Sequence, residues 1–277
     1  MTINSLSLSF LLEHPKDAAR ALEKFDPPVL AEYLENVPVK TAATVLKHIV
    51  PSIATECLKQ MPVEVSTEIV MQLGIERATA LLRRMKEGFR EQMIRTMSPI
   101  FANMTRLVLR YPEGTVGQDM SPNVFTVHQD MRVNEVITAI RNAADLLQHE
   151  VYVINDKQQL VGIVDVKLLL TSDDKEQMKA IMGSTGETLA ARTSLNAVRT
   201  LPEWNHKERL PVLDHQGVFI GVLHRHSLHA SVHDHERQDE YAGTALAVAE
   251  LFWDACANLL TPDYDHSEKG YQDERNE

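Results

Sequence analysis

The strongest constraint on the fold is an internal repeat of about 60 residues in the second half of the chain. Each copy has an apolar stretch, a polar turn and a second apolar stretch, which is typical of a β-hairpin. The predicted strands are residues 151–154 and 160–164 in the first copy, and residues 210–213 and 219–223 in the second. Each hairpin follows an amphipathic helical pattern, at 133–147 in the first copy and at about 195–204 in the second.

The two copies also share single residues at matching positions. Gly162 and Gly221 are 59 residues apart, and Met120 and Met182 are 62 apart. A helical run at 166–171 follows the first hairpin, and one at 227–232 follows the second. The repeat therefore predicts two similar small units in tandem.

The first third of the chain shows a different periodicity. Prolines at positions 15, 28, 38, 51 and 62, followed by Gly74, separate short segments with apolar residues three and four positions apart. Proline suits the first turn of a helix and ends the helix before it, so residues 1–88 are predicted to form an array of short helices. A longer helical pattern covers 89–111, with Pro99 expected to break or kink it.

The two repeat copies resemble a pair of cystathionine-β-synthase (CBS) domains. The segments that carry this likeness are 151–164 and 210–223, with the sequences VYVINDKQQLVGIV and LPVLDHQGVFIGVL. Short helices with initial prolines, then YPEGTVGQDM at 111–120, then a CBS pair resemble the cytosolic part of MgtE-type magnesium transporters. The resemblance implies an α+β multidomain protein with a superhelical N-terminal array and a CBS pair built on small three-stranded sheets. Where those transporters continue into a membrane domain, the pattern of this sequence predicts an amphipathic helix and a polar tail.

These patterns give five predicted parts. They are an N-terminal helical domain at 1–111, CBS domains at 112–174 and 175–234, an amphipathic helix at 235–260 and an acidic disordered tail at 261–277. Residues 233–277 hold twelve acidic and three basic side chains, so they contribute −9 to the net charge of −11. The remainder is nearly neutral and has no clustered Lys and Arg of the kind that binds nucleic acid. Two cysteines, no signal sequence and no apolar stretch of about 20 residues favour a cytoplasmic protein that does not span a membrane.

The resemblance implies two kinds of ligand. Adenine-nucleotide sites in CBS domains carry a hydroxyl residue and an acidic residue after the second strand. Here Asp165 and Leu168 occupy these positions in the first copy, and His224 and Ser227 occupy them in the second. Both copies depart from the pattern, and a carboxylate at Asp165 would repel phosphate. The alternative is a structural pair with empty clefts.

The second implied ligand is magnesium, bound by carboxylates at the domain boundaries. The candidate residues are Glu76 in the helical array and Asp173 and Asp174 in the linker between the copies. Mg²⁺ prefers oxygen ligands and keeps several waters, so a few carboxylates suffice. A solvated linker with helix-capping aspartates is the other interpretation of Asp173 and Asp174.

A stretch rich in histidine closes the second copy. His226, His229 and His233 would share one helix face, with His235 and Asp234 nearby. Imidazole favours Zn²⁺, Ni²⁺ or Co²⁺ over Mg²⁺. Three interpretations stay open: a site for such a metal, a group that responds to mild acid, and a solvent-exposed helix face.

The predicted last helix carries an apolar stripe that needs a partner surface: Tyr241, Val248, Phe252 and Leu259. It could pack on its own CBS pair, dimerise, or contact a membrane transporter or another protein. We expect a homodimer through the CBS pair and a regulatory protein that binds a divalent cation. An adenine-nucleotide-responsive module and a ligand-free scaffold are the alternatives. An enzyme is not expected, since no catalytic constellation is recognisable.

Overall fold

The first half of the molecule is a layered array of nine helices. The computed structural model describes residues 5–142 and 149–228, which form one unit ending at Leu228. From α2 to α7, each helix packs against the next helix but one, as a superhelical array requires. The helices are α1 (Ser5–Glu13), α2 (Pro15–Leu22), α3 (Pro27–Glu35), α4 (Val39–Leu46), α5 (Pro51–Gln60), α6 (Val63–Gln72), α7 (Ile75–Arg83), α8 (Glu87–Thr96) and α9 (Pro99–Leu109).

Proline sets the start of most of these helices. Pro15, Pro27, Pro51 and Pro99 stand in the first turn, where the missing N–H costs no hydrogen bond. The predicted break at Pro99 is confirmed, because α8 ends before an extended Met97 and α9 begins at the proline. The apolar face of each helix points into one core that includes Leu34, Leu58 and Leu82.

The second half contains two three-stranded sheets of the same design. In each, the first strand is parallel to the second and the second is antiparallel to the third. The strands are β1 (Thr126–His128), β2 (Glu150–Ile154) and β3 (Leu160–Asp165), then β4 (Leu189–Ala190), β5 (Arg209–Leu213) and β6 (Phe219–His224). Both predicted hairpins are confirmed, and the overall α+β architecture is as expected.

Five helices accompany the sheets. They are α10 (Val116–Asp119), α11 (Val133–Asn142), α12 (Val166–Thr171), α13 (Met178–Ile181) and α14 (Leu195–Val198). The helix predicted over 195–204 is wrong in length. It stops at Val198, and a short 3₁₀ helix, Pro202–Asn205, follows. Pro202 causes the stop, because it disfavours helical geometry at the residue before it and lacks an N–H. The Trp204 indole then donates a hydrogen bond to the Val198 carbonyl at 2.6 Å.

The two copies exchange their first segments. Residues 116–120, which begin the first copy, pack into the core of the second sheet, and Ser121 exchanges two backbone hydrogen bonds with Val222 of β6. Correspondingly, Gly183 exchanges backbone hydrogen bonds with Ile163 of β3. The pair is therefore one folding unit, because each sheet is completed by the other copy.

The repeated glycines allow this exchange. A Cβ atom at Gly221 would lie 2.5 Å from the Ser121 carbonyl oxygen. A Cβ atom at Gly162 would lie 2.6 Å from Met182 Sδ and 2.8 Å from the Gly183 carbonyl oxygen. Glycine is needed at both positions because the incoming backbone passes directly over the strand.

Candidate functional site

The helical array joins the second sheet through a shared apolar core. Ile75 at the start of α7 and Val108 near the end of α9 pack with Val116 and Met120 and with the second sheet. These contacts fix α7, α9 and α10 relative to one another. Polar side chains from these three elements therefore meet at a defined junction.

Asp119, at the end of α10, has the most perturbed carboxyl group of this junction. Its pKa is raised to about 6, first by burial and then by the negative charge of Glu76 on α7, while Arg83 opposes the shift. A buried carboxylate beside a second carboxylate is costly unless a proton or a cation compensates the charge. Asp119 is half-buried and Glu76 is exposed, so oxygen ligands of this kind with bound water would suit a divalent cation at this junction.

Sequence reasoning selected Glu76 but not Asp119. Asp119 lies in the segment 111–120 that carried the family resemblance, so a signal was present. Glu76 and Asp119 are 43 positions apart in the sequence, and only the packing of α7 and α10 on one core places them at the same junction.

Arg83 is the positive charge of the junction. Its Nη2 donates hydrogen bonds to the carbonyl oxygens of Val108 at 2.9 Å and Tyr111 at 2.8 Å. These carbonyls lie at the C-terminal end of α9, where a helix has unsatisfied acceptors and a partial negative charge. Burial lowers the pKa of Arg83, while Glu113 and Asp119 counteract that effect. Arg83 thus holds the C-terminal end of α9 in place, and its positive charge partly offsets the rise in the pKa of Asp119.

The linker aspartates have structural roles in this conformation. The Asp173 carboxylate accepts a hydrogen bond from the Lys175 N–H at 2.8 Å, and the Asp174 carbonyl accepts one from Asn134. Both residues are exposed. Within residues 5–142 and 149–228, no three His, Cys, Asp or Glu side chains converge as a metal site. The linker pair and Glu76 are thus not assembled into one cluster in that part of the chain.

In the first copy, the position that the resemblance assigns to a phosphate-binding hydroxyl holds the carboxylate of Asp165. Asp165 is exposed, and its carboxylate caps α12 by accepting the Lys167 N–H at 2.7 Å. Leu168, at the position expected for a ribose-binding acid, is 46% exposed. The local role of Asp165 is thus helix capping.

In the second copy, the equivalent position holds the imidazole of His224, which is neutral near pH 7. The pKa of His224 is lowered to about 4 by burial first, and then by the charges of Arg209 and His226. The rings of His224 and His226 lie 5.0 Å apart and are tilted by 43°. Ser227 is buried just beyond them. A neutral imidazole can donate or accept one hydrogen bond to a ligand without adding charge.

Most of the histidine stretch and the last helix lie outside the described residues. This applies to His229, His233, Asp234 and His235, to the apolar stripe at Tyr241, Val248, Phe252 and Leu259, and to the tail at 261–277. Their assigned roles stay predictions. The same holds for the domain boundaries within 112–234.

Comparison with known families identifies both modules. Residues 13–114 match the family model for the MgtE intracellular N domain, and residues 116–173 match that for the CBS domain. The predicted resemblance to the cytosolic part of MgtE-type transporters is confirmed by these two matches, in the expected order.

Two magnesium transporters show the same relationship in sequence. The MgtE of Thermus thermophilus is 28% identical over 116 residues, which is 41% of this chain and 26% of the transporter. The MgtE of Bacillus subtilis is 22% identical over 120 residues, covering 43% of this chain and 27% of the transporter. The match thus spans about a quarter of each transporter's length.

Two solved structures share the fold. One is a cytosolic domain of the Mg²⁺ channel MgtE in complex with ATP, with a TM-score of 0.70 and 24% identity over 81% of this chain and 93% of that one. The other is the soluble part of a magnesium transporter, with a TM-score of 0.59 and 15% identity over 82% and 97% of the two chains. Across the residues that the structure describes, we find no helix with the length and apolarity needed to cross a membrane.

Proposed function

We propose that this chain is a regulatory module that binds a divalent cation, with magnesium as the best-suited ion, between its helical array and its CBS pair. Asp119 carries the proposal. Its carboxyl group is half-buried, and burial and the negative charge of Glu76 raise its pKa to about 6, so the cation-free form is destabilised near pH 7. A cation between the two carboxylates would relieve that cost and fasten α7 to α10.

The relatives support the choice of ion. Two proteins that match 41% and 43% of this chain are magnesium transporters, and the two solved structures described above come from magnesium transport proteins. Regulation of a partner, rather than catalysis, fits a module whose described residues carry a cation-competent junction and a CBS pair. We keep the apolar stripe predicted at Tyr241, Val248, Phe252 and Leu259 as the proposed surface for a partner protein.

A thermal-shift titration tests the cation site. Mg²⁺ at millimolar concentration should raise the melting temperature of the intact chain, while Glu76→Gln and Asp119→Asn should abolish most of that shift. Glu64→Gln is the matched control, because Glu64 is exposed in the first turn of α6. Equal shifts in all four proteins would assign Mg²⁺ binding to other carboxylates, such as Asp173 and Asp174, and contradict the proposal.

The histidine site is tested separately with Zn²⁺, Ni²⁺ and Co²⁺. A shift that His229→Ala and His233→Ala remove, but Asp119→Asn does not, would establish a second metal class at the end of the second copy. A shift that survives both histidine substitutions would contradict that prediction.

Adenine nucleotide is a second candidate ligand, since a structurally similar MgtE domain was solved with ATP. In this chain the second cleft is the better candidate, because neutral His224 lies where Asp165 lies in the first. ATP, ADP and AMP should then raise the melting temperature in a manner that depends on His224 and Ser227. If His224→Ala leaves an ATP shift unchanged, this assignment is wrong.

A homodimer through the CBS pair is supported by exposed leucines. Leu168 and Leu170 on α12 are 46% and 65% exposed, which is unusual for large apolar side chains on a short helix. Light scattering should give twice the mass of 31.2 kDa for the native chain and the single mass for Leu170→Glu. A native monomer at tens of micromolar would contradict dimerisation.

A further inference from the structure

A cleft rich in arginine lies in the helical array, away from the CBS sheets. It has a volume of about 440 Å³ and lies between α7, α8, α9 and the turn that follows α9. Its charged lining consists of Arg83, Arg90, Arg106, Arg110, Glu91 and Glu113. Ligand pockets for small molecules fall in this size range.

The arginines of this cleft are not neutralised within the described chain. There, no carboxylate lies within 4.0 Å of a guanidinium nitrogen of any of the four. Arg83 makes its side-chain hydrogen bonds to two backbone carbonyls, and its buried Nε has no partner among these residues. Four guanidinium groups against two carboxylates leave an excess of two positive charges, in a chain whose net charge is −11.

This arrangement is costly without a ligand. Converging arginines repel one another, and Arg90 is among the charges that lower the pKa of Arg83. Each guanidinium presents planar N–H donors that match the oxygens of phosphate in pairs. Ile94 and Leu109 form an apolar part of the lining, which reduces the competition from water.

We propose that this cleft binds a small anion with adjacent phosphate groups. Two or more linked phosphates carry enough charge and oxygens to engage Arg90, Arg106 and Arg110 together, whereas a single phosphate would leave some of them unpaired. Glu91 and Glu113 limit the total charge that the cleft accepts. The site is separate from the positions assigned to nucleotide in the CBS pair. It shares Arg83 with the junction at Asp119, but the arginines proposed to hold the anion, Arg90, Arg106 and Arg110, are not among the charges that shift the pKa of Asp119.

Calorimetric titration of the intact chain tests this site. The probes are pyrophosphate, tripolyphosphate, ATP and AMP, without divalent metal and at fixed ionic strength. Pyrophosphate and tripolyphosphate should bind, and AMP should bind at least tenfold more weakly because it offers one phosphate. ATP distinguishes a free polyphosphate site from one that also accepts a nucleoside.

The decisive variant is Arg90→Gln combined with Arg106→Gln, which spares the structural contacts of Arg83. It should weaken binding of tripolyphosphate by about a hundredfold, about tenfold per arginine. The matched control is Arg84→Gln with Arg95→Gln, two exposed arginines of the same region that do not line the cleft. It removes the same charge and should change affinity less than about threefold.

Glu91→Gln supplies an independent measurement, because removing a rim carboxylate should tighten binding by about threefold to tenfold. Absence of tripolyphosphate binding at millimolar concentration would overturn the proposal. So would an equal loss in the control variant, AMP binding as tight as ATP, or ATP binding that depends on His224 and not on Arg90 and Arg106. Circular dichroism and the melting temperature establish that each variant is folded.

Discussion

In each of the two hairpin turns, a single side chain determines the backbone conformation of the turn. Asn155 and Asp214 hold equivalent positions, and the side-chain oxygen of each accepts two backbone N–H groups of its turn at 2.8 to 3.0 Å. Three residues further, Gly217 has a φ of 77° and Gln158 has a φ of 59°. The same turn is therefore made in the left-handed region by glycine in one copy and by glutamine in the other.

Gln158→Gly should raise the free energy of unfolding by about 0.5 to 1 kcal/mol. A side chain with Cβ is strained in the left-handed region by about 1–2 kcal/mol, and the greater chain entropy of glycine offsets part of that gain. Gly217→Gln should have the opposite effect. Urea denaturation measures both, and a destabilised Gln158→Gly would show that side-chain contacts of Gln158 outweigh the strain.

Asp119 should make stability depend on pH in a direction opposite to that of most acids. Its folded-state pKa of about 6 exceeds the ordinary value of 3.8, so the folded protein holds the proton more tightly between these values. Its contribution is therefore fully present below pH 3.8 and is lost as the pH rises through 6. Without divalent cation, Asp119→Asn should be more stable than the native chain at pH 7.5, by about 1 to 3 kcal/mol, and the difference should shrink toward pH 5.

His224 should also make stability depend on pH in this range, but it should lower stability as the pH falls, whereas Asp119 lowers stability as the pH rises. Its folded-state pKa of about 4 is below 6.5, so the unfolded chain binds the proton more readily. The native chain should lose stability relative to His224→Gln as the pH falls from 6.5 to 4. The exposed His215→Gln is the matched control, and equal slopes for the native chain and His224→Gln would contradict the assignment.

At the scale of elements, the exchange of first segments explains why the two copies of the repeat are not independent domains. The segment that begins each copy adds to the edge of the other sheet, through Ser121 with Val222 and Gly183 with Ile163. Exchange of this kind makes the two sheets cooperative, because neither can open without releasing a segment of the other.

Substituting the repeat glycines should reveal that coupling. Gly221→Ala should destabilise by about 2 kcal/mol or more, because the new Cβ meets backbone atoms of Ser121 and Pro122. Gly162→Ala should also destabilise but should cost less, because only one backbone atom, the Gly183 carbonyl oxygen at 2.8 Å, opposes its Cβ and the other close atoms belong to the flexible Met182 side chain. Gly88→Ala in α8, where no atom lies within 4 Å, is the control and should stabilise by up to about 1 kcal/mol. The free energy of unfolding from urea titration gives the order, and a neutral Gly221→Ala would contradict it.

At the scale of the whole molecule, local patterns predicted the elements and their order, whereas the site depended on tertiary packing. The proline spacing predicted the array of short helices and the repeat predicted both hairpins, because helix starts and strand alternation are local properties. The first strand of each sheet, Thr126–His128 and Leu189–Ala190, was implied only by the family resemblance, because two or three residues are too short for a periodic pattern. The helix at 195–204 was overextended because the apolar pattern continued through Pro202, which ends it. Asp119 and the arginine cleft were missed because their members meet only when α7, α8, α9 and α10 pack.

Proton release on Mg²⁺ binding most directly tests whether Glu76 and Asp119 hold a divalent cation. Asp119 is about half protonated at pH 6, so Mg²⁺ binding should release about half a proton there, and fewer at pH 7.5. Calorimetry in two buffers with different ionisation enthalpies measures this number. We expect proton release near pH 6 in the native chain and none in Asp119→Asn. Equal Mg²⁺ affinity and equal proton release in the two proteins would show that Asp119 does not hold the cation.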